Sequence, residues 1–71
     1  MAHELSKTIL ITKVTELIAK EYRISISKAR DMLYNSDVIK LIDDDETGLY
    51  GESPLFVFSL FQKEQKNSQI Q

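Results

Sequence analysis

The 71-residue chain has no cysteine and no tryptophan, and it holds only one proline, two glycines and one histidine. Without cysteine, neither a disulfide nor a thiolate metal site is available to stiffen it. The histidine, His3, stands in a terminus expected to fray, which argues against a zinc or haem site and against a Ser-His catalytic pair. No apolar run approaches the roughly 18 residues a membrane span needs, and residues 1–7 lack the pattern of a signal peptide. Cytoplasmic residence, no membrane partner and no cofactor are the expectations. The formal net charge of -2 also lacks the positive excess that rewards contact with nucleic acid or anionic lipid.

The chain is short enough that one core supplies only about 3–5 kcal/mol of net stability. Good helix packing or oligomerisation must provide the rest. Leu10, Ile11, Val14, Leu17, Ile18 and Tyr22 recur at helical spacing, with Thr12, Lys13, Glu16 and Lys20 opposite. This predicts a first helix over 5–22. Leu5 and Ile9 lie four apart outside that stripe, on the side of Glu16 and Lys20.

Residues 23–27 alternate β-branched side chains with serines, so the chain is expected to run extended there, with Ser25 or Ser27 capping the next helix. A second helix is read over 28–35, with Ala29, Met32 and Leu33 inward. Asn35 and Ser36 then compete with the helical backbone, Asn35 as a left-handed terminator and Ser36 as the next cap. A third helix over 37–43 is expected to bury Val38, Leu41 and Ile42. Ser53-Pro54 starts a fourth, over 54–66, since serine is a preferred cap and proline suits the first helical position. Residues 1–66 thus form one helical domain, and 67–71 a disordered tail.

Residues 43–54 hold both glycines, the proline and five of the eleven acids. Asp43, Asp45, Thr47 and Gly48 match the opening of an EF-hand loop, but position twelve, where a bidentate glutamate should close it, is Pro54. The stretch therefore reads as a solvated acidic loop with turns at Gly48 and Gly51, with a looser cation site at Asp43 to Glu46 as the alternative. Asp43 to Asp45 end the third helix, where the dipole disfavours negative charge, so a cation is wanted there; Lys40 or the basic group at 20–30 are the candidates. That group, Lys20, Arg23, Lys28 and Arg30, reads as phosphate contacts of a helix-turn-helix or as ordinary surface charge interleaved with Glu21 and Asp31. No arrangement of nucleophile, base and orienting group stands out, and the chain reads as non-enzymatic.

The sharpest feature is the run 55–61. Leu55, Phe56, Val57, Phe58, Leu60 and Phe61 cover nearly the whole circumference of a helix, broken only by Ser59. A helix apolar all round is a buried helix. Either it threads the middle of a monomer, or it packs inward on one face and against a second subunit on the other. With Leu5 and Ile9 exposed as well, the second reading is preferred: a small all-α four-helix domain that dimerises through these eight residues.

Ile26-Ser-Lys-Ala29, Leu33-Tyr-Asn-Ser36 and Thr47-Gly-Leu-Tyr-Gly-Glu-Ser-Pro54 resemble a set of short, uncharacterised bacterial proteins. These share a leading helix, an Ile-Ser segment and a Thr-Gly-Leu-Tyr-x-Glu-Ser-Pro stretch before an aromatic-rich helix. The likeness covers Thr8 to Phe61 and implies no activity. Because some small proteins of this layout are encoded beside toxins, it implies a partner-binding or antitoxin-like role.

Overall fold

In the computed structural model, which describes the backbone of residues 2–70 and the side chains of residues 4–67, four α-helices enclose one core. They are α1 (Ala2–Tyr22), α2 (Ile26–Tyr34), α3 (Asp37–Asp43) and α4 (Pro54–Ile70). No strand occurs among the described residues. Helix α1 packs against both α2 and α4, and α3 leans on α4.

The core follows helical rows. Leu10, Val14 and Ile18 of α1, Ala29 and Leu33 of α2, Val38 and Ile42 of α3, and Val57 and Phe61 of α4 are buried. Each helix contributes residues four apart, which is the spacing that stacks side chains on one face. The Tyr22 ring meets Phe61 edge-on with centroids 6.3 Å apart, closing the far end. Thr15 is the polar member of the α1 stripe; its hydroxyl donates to the Ile11 carbonyl at 2.7 Å, so burial leaves it satisfied.

The connection from α1 to α2 is tighter than the expected extended segment. Arg23 takes a left-handed conformation, φ +57°, and the Ile24 N–H donates to the Ala19 carbonyl at 3.0 Å. That is a Schellman termination, built here on arginine instead of glycine. Ile24 then tucks against the core, and Ser25 accepts from the Lys28 N–H at 3.1 Å to cap α2. The choice of Ser25 over Ser27 starts α2 at Ile26.

Two further expectations are corrected. Asn35 ends α2 at φ -93°, outside the left-handed region, and its backbone and side-chain N–H groups both donate to the Asp31 carbonyl. Leu41 points outward, because α3 buries only the Val38 and Ile42 row. After α3 the chain makes two short 3-10 turns, Asp45–Thr47 and Leu49–Gly51, joined at Gly48 with φ +65°. A β-carbon would be strained at Gly48, whereas Gly51 needs no left-handed backbone. Leu49 is buried and anchors the loop to the core.

Ser53 caps α4 as expected, accepting from the Phe56 N–H at 3.2 Å. The helix runs to Ile70, past the expected end at Lys66. Side chains of 68–71, most of the expected tail, lie outside the described residues.

Candidate interaction surface

Helix α4 resolves its all-round apolar character by splitting it. Val57 and Phe61 have no exposed surface and belong to the core, so neither is available to a second subunit as expected. Phe58 and Leu60 are half-buried against that core. Leu55 and Phe56 face solvent, 67% and 47% exposed, on either side of the outward pole marked by Ser59. Of the six α4 residues expected at an interface, these two are the free ones.

Leu5 and Ile9 are exposed too, 66% and 46%. The structure brings Ile9 and Leu55 to one side of the molecule. A shallow groove of about 540 Å³ runs between α1 and the start of α4, lined by Leu17, Pro54 and Leu55 with Lys13, Glu16 and Lys20 along its α1 rim. A second depression, sharing Lys13 and Pro54 with it, continues to Ile9 and Leu10 and is edged by Glu52. Leu5 lies one turn further along the Ile9 row. Phe56 instead shares a row with Leu60, which borders a separate hollow beside Leu41.

Sequence reading missed Lys13, Glu16, Glu52 and Pro54 as walls of this groove. A signal existed for Lys13, which continues the Leu5 and Ile9 row by four. None existed for Glu52, whose position depends on the loop.

The acidic loop finds its cation in a residue the sequence did not single out. Lys7 of α1 reaches across to place Nζ 2.6 Å from Asp45 Oδ1, 3.8 Å from Asp43 Oδ1 and 2.8 Å from the Asp43 carbonyl oxygen, capping the end of α3. Its side chain is only 13% exposed and its Nζ lies 5.9 Å from the centre of the Tyr50 ring. The hydrogen bond to Asp45 raises the Lys7 pKa above its ordinary 10.5; partial desolvation opposes this, and the charges of Asp45, Asp43 and Glu4 add to it. Lys40 pairs instead with Asp37 on the surface at 3.5 Å. The Thr47 hydroxyl lies 2.7 Å from the Leu41 carbonyl oxygen and accepts from the Leu49 N–H at 3.1 Å, fastening both turns to α3. No metal-holding group of side chains occurs among the described residues.

The opposite end of α3 is capped from α4. Ser36 turns its hydroxyl to the Leu33 carbonyl, and the Glu64 carboxylate takes over, accepting from the Asp37 N–H at 2.8 Å and the Val38 N–H at 3.1 Å. Glu64 follows Val57 and Phe61 at helical spacing, so the burial of that row aims it at α3.

Lys20, Arg23, Lys28 and Arg30 are all exposed around the α1–α2 turn, and none has an ion-pair partner among the described residues. No described helix is long and apolar enough to cross a membrane. Comparison with protein families, curated proteins and solved structures finds no match for the chain.

Proposed function

We propose that the chain is a non-enzymatic, cytoplasmic protein-interaction module that self-associates through the outward side of α4 and the Leu5 and Ile9 row of α1. One observation carries this reading: Leu5, Ile9, Leu55 and Phe56 are large apolar side chains left exposed while Leu10, Val14, Ile18, Val57 and Phe61 of the same two helices are buried, and Leu5 and Leu55 are the most exposed large apolar residues described. Covering such area stabilises by about 25 cal/mol per Å² removed from water. For a chain whose own core is small, that contribution matters in proportion. Equilibrium sedimentation at micromolar concentration tests it: about twice the 8.2 kDa chain mass is expected, and a monomer across the range refutes it.

The exposed, unpaired basic group at the α1–α2 turn favours a second reading, a DNA-binding or antitoxin-like regulator of the kind implied by the resemblance to short bacterial proteins. Phosphate contacts release counterions, so that reading predicts duplex DNA binding that weakens steeply with salt. The self-association reading predicts no such binding.

A further inference from the structure

Resting on the self-association reading, we infer that the dimer is an antiparallel two-fold pair, with the α1–α4 groove of each copy facing that of the other and two kinds of ion pair fixing the register. Charge is laid out unevenly along the groove. Toward the C-terminal end of α1 the rim carries Lys20, in the middle Lys13 and Glu16, and toward the N-terminal end Glu52 stands beside Ile9 and Leu10. All four charged side chains are exposed and none has an ion-pair partner among the described residues. The groove is thus positive at one end and negative at the other.

Two grooves aligned lengthwise can face each other about a two-fold axis that lies along them or across them. With the axis along them the α1 helices are parallel and each rim residue stays level with its own copy, so the Lys20 end meets a lysine end and the Glu52 end a glutamate end. With the helices antiparallel, opposite ends meet and the signs complement one another.

One position of the axis satisfies both pairs. An axis passing between Lys13 and Glu16 sets each against the other's counterpart. The same axis brings Lys20 to the level of Ile9 of the partner subunit, beside which Glu52 of the partner subunit stands. It also carries Leu55 toward the depression around Lys13 and Pro54 on the facing copy, where the apolar floor continues. The chain exposes 5112 Å², and a standard interface of about 800 Å² per partner would take about a sixth of that.

Within one chain Lys20 and the Ile9 level are 11 residues apart, roughly 16 Å along α1 at 1.5 Å per residue. Because Lys20 shares the groove with Ser53, the neighbour of Glu52, a zero-length carbodiimide cross-link between Lys20 and Glu52 is scored on mixed unlabelled and ¹⁵N-labelled chains, where a mixed-mass linked peptide can form only between copies. The test combines that cross-link, mapped by mass spectrometry, with sedimentation of Lys20→Glu, Glu52→Lys and the chain carrying both. Each single reversal turns two attractive pairs repulsive and is expected to raise the dimer dissociation constant about tenfold. The double reversal is expected to restore it. Circular dichroism checks that each variant stays folded, as both positions are exposed.

A wild-type dimer that forms no Lys20–Glu52 cross-link and is indifferent to both reversals overturns the antiparallel arrangement while leaving self-association standing. A wild-type monomer overturns both. Restoration by the double reversal, with the singles weakened, supports the arrangement.

Discussion

Replacing Glu64 by alanine removes the side-chain cap at the start of α3 without touching the core. Its carboxylate accepts from two backbone N–H groups, at 2.8 Å and 3.1 Å, and the second, on Val38, is partly buried. Water can replace the first acceptor more readily than the second. Loss of a helix cap costs about 0.5–2 kcal/mol, and the negative charge at a helix start contributes about 0.3–1 kcal/mol. Because alanine favours α4 slightly over glutamate, a net loss of about 1.5 kcal/mol is expected. That is about a third of the roughly 3–5 kcal/mol available to a domain of this size. For 60–100 residues, 1 kcal/mol moves Tm by about 4–8 °C, so Glu64→Ala should melt about 6–12 °C lower by circular dichroism. Glu64→Gln keeps a neutral acceptor and should lose about half as much. Lys63→Ala, at an exposed neighbouring position, is the control. Hydrogen exchange should localise the loss to the α3 amides. A Glu64→Ala variant that melts with the wild type, or a Lys63→Ala variant that falls equally far, refutes the cap.

Phe61→Ala empties a fully buried site and should cost about 3–5 kcal/mol, enough to unfold the chain, whereas Leu55→Ala should leave monomer stability within about 0.5 kcal/mol; urea titrations at low protein concentration measure both. Arg23→Gly relieves a left-handed residue and should raise Tm by about 2–8 °C, for a gain of about 0.5–1 kcal/mol; a fall would mean the arginine stem packs usefully. Lys7 has a folded-state pKa above its unfolded value of 10.5, so its contribution is present below that pH and is lost as pH rises through the folded value. Lys7→Met should therefore be less stable than wild type near neutral pH, and the difference should shrink above pH 10.5 in denaturation curves.

Where periodicity has a phase, the sequence shows the fold. Leu10, Val14 and Ile18 sit on an amphipathic helix long enough to define one face, and Ser53-Pro54 marks a helix start through purely local chemistry. Leu41 reads as inward yet lies outside, because a seven-residue helix samples too few positions to separate neighbouring phases. The run 55–61 is apolar all round, so nothing local distinguishes Val57 and Phe61, which enter the core, from Leu55 and Phe56, which do not. The Ile-Ser-Ile-Ser stretch carries β tendency, yet α2 begins inside it, since Ser25 caps and Ile24 is drawn to the core. Lys7 with Asp43 and Glu64 with Asp37 join residues 36 and 27 apart, and no spacing rule reaches that far. The candidate surface was legible as an excess of apolar residues; which of them remain outside is decided by packing.

The most direct test of that surface is a dilution series followed by ¹⁵N relaxation and amide chemical shifts in ¹H–¹⁵N spectra. Self-association through the outward face predicts ¹⁵N relaxation of a species of about twice the chain mass, and, where dilution dissociates it, shifts centred on Leu5, Ile9, Leu55 and Phe56 with the core amides of Val14 and Leu33 nearly still. Shifts that instead cluster on Lys28, Arg30 and Asp31, or relaxation of a monomer at every concentration from micromolar to millimolar, would contradict it.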